Sequence, residues 1–166
     1  MTELLIRPPT KGDQKTILAI VEAAFGDEPV APIVADLWED NAMAAEFLAV
    51  EHDVPIGYCA LSPVTCSPAL HGVALGLSPV AVLPSHQRAG VGSALCTAAV
   101  RHCKHEGVDL LIVLGHADYY PRFGFHRASD LDLTWSVRDA GDSLMAIDFA
   151  GTGRAPRQIS FHRAFD

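Results

Sequence analysis

The stretch Leu77-Ser-Pro-Val-Ala-Val-Leu-Pro-Ser-His-Gln-Arg-Ala-Gly-Val-Gly-Ser93 constrains the fold more than any other part of the chain. A β-rich apolar run ends at Pro84, and six residues later Gly90 and Gly92 open a helical pattern. A strand that passes through a glycine turn into a helix start aims several backbone N–H groups at one point, which is how a fold receives an anion. Residues 87–93 are therefore the candidate grip for a phosphate-bearing ligand. Two other phosphate motifs are absent. A P-loop needs a lysine after its last glycine, and none follows Gly92; the dinucleotide fingerprint G-x-G-x-x-G is not present either.

Composition narrows what that ligand site can belong to. A chain of 166 residues is long enough to bury a core unaided, and a single domain over 1–166 is expected. With 49% hydrophobic and 19% charged residues it is globular rather than disordered. The formal net charge of −8 argues against non-specific binding to nucleic acid or an anionic membrane. Phosphate affinity must then be local, built from backbone donors and Arg88. An acidic surface favours cationic substrates such as amines, and is equally a merely soluble surface.

Cys59, Cys66, Cys96 and Cys103 form no C-x-x-C pair, disulfide framework or zinc pattern. No charged-then-apolar leader and no run of about 18 apolar residues is present. The cytoplasm is the expected compartment. His102 and His105 stand three apart on a helical pattern, but no third ligand lies near, so a solvated helix face accounts for them and no metal is expected.

The periodicity predicts the following order. A strand at Leu4–Ile6 is stopped by Pro8 and Pro9. Asp13 caps a helix running to about Phe25, with Ile17, Ile20, Val21 and Ala24 on one face. A second helix covers roughly 32–41. Strands follow at Ala45–Glu51 and Ile56–Pro63, joined by a hairpin turn at His52-Asp53. Residues 62–72 read as a loop and Val73–Leu83 as a long strand, in which Pro79 suggests a bulge. A helix spans 90–106 and ends at Gly107. Asp109–Gly115 holds five successive apolar residues, the mark of a strand buried on both faces. A short helix or turn at 117–122 precedes an extended Gly124-Phe125. Beyond Asp130 only Leu144–Phe149 reads as a strand, and 150–158 as a loop. The order β-α-α-β-β-β-α-β-α-β is that of one mixed α/β (α+β) layer domain.

Two motifs in this order resemble a known family. Gln87-Arg88-Ala89-Gly90-Val91-Gly92 resembles the [Q/R]-x-x-G-x-[G/A] signature of GNAT-type N-acetyltransferases, which bind acetyl-CoA. Tyr119-Tyr-Pro-Arg-Phe-Gly-Phe125 resembles the Y-x-x-x-G-F segment after that family's fifth strand. One helix and one buried strand separate the motifs, as in the family. The resemblance follows the element order over residues 3–127 and is sharp over 77–125; it is nearest to bacterial small-molecule acetyltransferases ending in Y-Y-x-R-F-G-F. It implies a mixed, mostly antiparallel central sheet with flanking helices, and an acyl-CoA cleft between strands 4 and 5.

The resemblance also implies roles. The pyrophosphate would lie on the N–H groups of Arg88, Ala89, Gly90, Val91, Gly92 and Ser93, beside Gln87. The pantetheine arm would pair with the fourth strand at Val80, Ala81 and Val82, and an N–H near Val80 or Ala81 would stabilise the oxyanion. Tyr120 occupies the position of the family's general acid. A phenol, with an ordinary pKa of about 10, stays protonated at neutral pH and can donate; the alternative is a ring that only packs on the ligand. Tyr119, Phe123 and Phe125 read as packing residues, and Arg122 as either a phosphate contact or a salt-bridge partner.

The base is open. The strand Val73–Leu83 carries no carboxylate, which departs from family members with a glutamate there. His116 is the first candidate; His71, Asp118, Glu28 and bulk water are others, and each residue is equally a solvated surface group. The implied activity is acetyl transfer from acetyl-CoA to a primary amine of a small molecule or peptide, by direct attack through a ternary complex. An acyl-CoA-binding regulatory module with weak or no turnover is the alternative, and transfer to a hydroxyl or of a longer acyl chain is a third. The acceptor would be set by 26–44, 62–72 and the C-terminal third (130–166), which carry no recognisable code. A homodimer is expected from the family.

Overall fold

The computed structural model describes residues 3–151 and 154–166. Its elements are β1 (Leu4–Arg7), α1 (Gln14–Phe25), α2 (Ala31–Glu39), β2 (Ala45–Glu51), β3 (Val54–Ser67), β4 (Ala74–Val82), α3 (Val91–His105), β5 (Leu110–Leu114), β6 (His126–Arg127), β7 (Leu133–Trp135), β8 (Leu144–Asp148) and β9 (Arg157–Phe161). This is a mixed α/β fold, with three helices and strands that pair mostly antiparallel. The chain packs as two compact units, Met1–Leu61 with Pro79–Ala99, and Ser62–Ser78 with Val100–Asp166. It crosses from one to the other inside β3, β4 and α3, so neither unit is a contiguous segment.

The first unit is built on an antiparallel meander. Leu4 pairs with Glu51, and Glu51 in turn with Val54 across a two-residue turn. The turn residues His52 and Asp53 have φ of 51° and 63°, the mirror-image hairpin geometry whose twist suits the flanking strands. Helices α1 and α2 cover this sheet segment. Ile17, Ile20 and Val21 of α1 are almost wholly buried with Val34, Leu48, Tyr58 and Ala81. These β-branched residues lose at most about 0.7 kcal/mol each in helix propensity. Burial contributes about 1.5–3 kcal/mol each, so the amphipathic face decides the helix.

Asp13 departs from the expected cap. Its carboxylate makes no cap bond to α1. It turns back instead, accepting from the Thr10 N–H at 2.8 Å and from Arg7 Nη1 at 2.9 Å. Arg7 first, and then the Thr10 N–H, hold the carboxyl well below the usual carboxylate range. A lowered folded-state pKa means stability that is present above about pH 4 and lost as pH falls below it. Asp13→Asn will therefore lower the melting temperature by a few degrees at pH 7 and by much less at pH 2. Thermal unfolding at both pH values checks this; equal losses would contradict it.

The second unit holds the buried strand. β5 pairs in parallel with β4 over Ala74–Gly76 and antiparallel with β8 over its whole length. β6 adds to β8. The β4–β5 ladder ends at Gly76 and Ile112, although β4 runs to Val82. Pro79 lies beyond that last pair, so it removes no donor from the β5 ladder. β3 also extends past the expected end at Pro63. Pro63 falls where β3 changes partners, after Leu61 on β2 and before Val64 on β9, so its missing N–H breaks neither ladder. β9 pairs in parallel with β7, and Ile159, Leu133, Val64 and Ile112 share one apolar cluster. Neither β7 nor β9 stands out in the sequence; β9 begins in the segment read as a loop, of which residues 152 and 153 lie outside the described residues.

Candidate functional site

The chain leaves β4 through a sequence of short backbone bonds. Leu83 N–H donates to the Ile56 carbonyl at 2.9 Å, and a 3-10 turn at Pro84–His86 follows, with His86 N–H donating to Leu83 at 2.8 Å. Gln87 Nε2 donates to the Val82 carbonyl at 3.0 Å and ties the turn to the strand end. Gln87 thus positions the turn.

The next residues alternate in backbone hand. Arg88 has φ 62° and Gly90 φ 87°, with Ala89 between them on the ordinary side. Alternation of this kind turns successive N–H groups toward one concavity. The first helical bond of α3 is Ala94 N–H to the Gly90 carbonyl at 3.0 Å. The N–H groups of Val91, Gly92 and Ser93 precede that ladder and lie at the positive end of the helix dipole. Gln87, Arg88, Ala89 and Gly90 are exposed, and a Cβ built on Gly90 meets nothing within 4 Å. An anion can therefore approach the turn at Arg88–Gly90, beside the start of α3, and Arg88 adds a charge. The residues present fit a diphosphate.

Two predicted residues here have divided roles. Val91 is 4% exposed, so its side chain belongs to the core and only its N–H faces the turn. Ala81 is 1% exposed and packs in the α1–α2 cluster, while Val80 and Val82 on either side are half-buried. Backbone, not side chain, is what this strand end offers a ligand.

Gly57 was not singled out from sequence, yet it sets where α3 begins. A Cβ on Gly57 would stand 3.0 Å from Val91 Cγ1, 3.1 Å from Leu95 Cδ1 and 3.2 Å from the Ala81 carbonyl. A glycine inside a strand pattern is the signal for such close approach. Gly57→Val will push the first turn of α3 off β3. Overpacking of this type costs about 1–3 kcal/mol. Thermal unfolding should show that loss, and a variant as stable as the native chain would contradict it.

The second unit carries the other motif. β5 ends at Leu114, and Gly115 N–H donates to the Ser143 carbonyl at 2.9 Å. The His116 carbonyl then accepts from Tyr119 N–H at 3.1 Å and Tyr120 N–H at 3.4 Å, and a 3-10 turn follows at Tyr120–Phe123. Tyr120 is half-buried. Its ring lies on Gly115, where a Cβ would come within 2.3 Å of Cε2, and meets Phe125 edge-on at 5.7 Å. A missing side chain at 115 is thus what seats Tyr120, a second contact that sequence reading missed. Tyr119 packs on Phe123 at 5.3 Å. Arg122 caps this turn: Nε donates to the Tyr119 carbonyl at 2.8 Å and its guanidinium sits 4.3 Å over the Tyr119 ring. Phe125 is 2% exposed and is core, as expected. His116, His71, Asp118 and Glu28 are all exposed. Among the described residues no group of three or more His, Cys, Asp or Glu is placed to hold a metal ion. No helix among them is long and apolar enough to cross a membrane.

The family model described as "Acetyltransferase (GNAT) family" matches residues 13–125. The uncharacterized N-acetyltransferase YjhQ of Escherichia coli is 35% identical over 122 residues, 69% of this chain and 65% of that protein, so the chain spans about two-thirds of its length. The uncharacterized N-acetyltransferase YhbS of the same species is 30% identical over 169 residues, covering 98% of this chain and 99% of YhbS. The crystal structure of Escherichia coli YhbS in complex with CoA superposes with a TM-score of 0.91 at 24% identity, over 99% of this chain and 93% of that one. A GNAT family acetyltransferase from Brucella melitensis in complex with acetyl-CoA gives 0.83 at 27% identity, over 99% of each chain. The family match spans the anion turn and the tyrosine motif together, and by it the chain belongs to the GNAT family of acetyltransferases.

Proposed function

We propose that the chain, acting as one domain over 1–166, transfers an acetyl group from acetyl-CoA to a primary amine of a small molecule or peptide by direct attack within a ternary complex. The observation that carries this reading is the alternating backbone at Arg88–Gly90 leading into α3, which suits a diphosphate. The CoA and acetyl-CoA named for the two solved neighbours support the same donor. When bound, acetyl-CoA supplies the acyl thioester. The amides of Arg88 to Ser93 hold its diphosphate. Val80 to Val82 offer backbone donors and acceptors to its amide-bearing arm. Tyr120 gives its phenolic proton to the departing thiolate, and His116 is the first candidate to relay a proton from the amine.

Direct attack is supported by the state of the thiols. Burial pushes Cys96 and Cys103 up to about 12, also raises Cys66, and leaves Cys59 wholly inside. Thiols of this kind are poor nucleophiles at neutral pH, which disfavours an acyl-cysteine relay. The four free cysteines also support a reducing, cytoplasmic compartment.

The test is thiol release from acetyl-CoA, followed with a thiol reagent across a panel of primary amines. Amine-dependent release is the expected result. Binding of acetyl-CoA without release from any amine would favour the regulatory module instead, a reading that rests on the absence of a carboxylate in β4. Neither binding nor release would refute both.

A further inference from the structure

Glu46, at the start of β2, has no cationic partner among the described residues. Its Oε1 accepts from Trp38 Nε1 and from the Tyr58 hydroxyl, each at 2.7 Å. Burial, and then the Glu46 charge, push the Tyr58 phenol well above its ordinary pKa, so it keeps its proton and acts as the donor. Among the described residues Oε2 has no hydrogen-bond partner, and no cation lies within ion-pair distance of Glu46. A glutamine would satisfy Trp38 and Tyr58 equally well through its single carbonyl oxygen. Half-burying a charge costs more than half-burying an amide unless a counter-charge is supplied.

Glu46 lines a cavity of about 380 Å³, a volume that suits a small organic molecule. The half-buried Met43 and Trp38 supply the apolar part of the wall, backed by the buried Ile17 and Leu37, and Lys11 is the cation on it. Lys11 is exposed and makes no ion pair with Glu46. Its charge disfavours a second positive group on the occupant. We propose that this cavity binds an organic ammonium with an apolar body, a monoamine rather than a polyamine, with Glu46 as its counter-ion. The identification of that amine as the acyl acceptor rests on the function proposed above; the binding itself does not. Tyr58 links the two, since its ring packs in one cluster with Ala81 of β4 while its hydroxyl holds Glu46.

Trp38 is the built-in reporter. In a Trp135→Phe background it is the only tryptophan, and its emission can be titrated with phenethylamine, with the neutral isostere 2-phenylethanol and with 1,5-diaminopentane. Phenethylamine should change the emission saturably, and the alcohol and the diamine should bind at least about tenfold more weakly. Glu46→Gln keeps both internal hydrogen bonds, and should weaken phenethylamine by at least about tenfold and abolish the preference for amine over alcohol. Acetyl-CoA titration by calorimetry accompanies both chains and should be unaffected by the substitution. Absence of saturable amine binding, equal binding of amine and alcohol, or an unchanged affinity in Glu46→Gln would each overturn the proposal. The amine and alcohol arm on the Trp135→Phe chain decides the matter even if Glu46→Gln does not fold. Loss of acetyl-CoA binding with amine binding intact would instead remove the proposed function and leave the cavity assignment standing.

Discussion

Valine in place of Gly90 will weaken acetyl-CoA binding by at least about tenfold, a change of about 1.4 kcal/mol. Gly90 sits at φ 87°, where an L-residue is strained by about 1–2 kcal/mol and a β-branched one by more. Relief requires rotating the Gly90 carbonyl, which accepts the first helical bond of α3. The new side chain would also fill the open space above the turn, where the ligand's phosphates are proposed to lie. Gly107, at φ 71° past the end of α3, is the control. Gly107→Val introduces comparable strain away from the turn, and should lower the melting temperature while leaving affinity intact. Calorimetry and thermal unfolding of the two variants separate a ligand effect from a stability effect. Equal affinity in Gly90→Val and the native chain would contradict the role given to this turn.

Removing the Tyr120 hydroxyl will lower kcat by about 100-fold and change acetyl-CoA affinity by less than about threefold, the range for loss of one positioned acid. Tyr120→Phe keeps the ring, which rests on Gly115 and Phe125, so its packing should hold. Gly115→Ala attacks the same function from behind. Its methyl would occupy the space of Cε2 and force the ring to move, so kcat should fall although the phenol remains. Steady-state kinetics on both variants provide the check. Full turnover in Tyr120→Phe would remove it as the acid and leave it a packing residue.

Local chemistry made much of this fold legible. His52-Asp53 between two alternating runs could hardly be other than a hairpin, and α3 is bracketed by Gly90 and Gly107. β5, with five apolar residues in succession, could only be a strand buried on both faces. What escaped depends on distant partners. β3 continues past Pro63 because Val64–Ser67 finds β9 almost a hundred residues later, and nothing within either segment announces the other. Asp13 has the residue type and position of a helix cap, but Arg7 and the Thr10 N–H compete for its carboxylate and win. At the candidate site, the residues of the anion turn were readable because the proposed contacts use their own backbone, and Tyr120 because its motif fixes its place. Gly57, Gly115 and Glu46 were not, because each acts through a side chain brought to it by the fold: Val91, Tyr120 and Trp38.

Calorimetric titration of the native chain with coenzyme A, and in parallel with pantetheine, which lacks the diphosphate, tests the central claim most directly. Coenzyme A should bind saturably at one site per chain, and pantetheine should bind at least about a hundredfold more weakly, since the charge-assisted contacts at Arg88–Ser93 have nothing to hold. No heat with coenzyme A, or equal affinity for the two compounds, would contradict it.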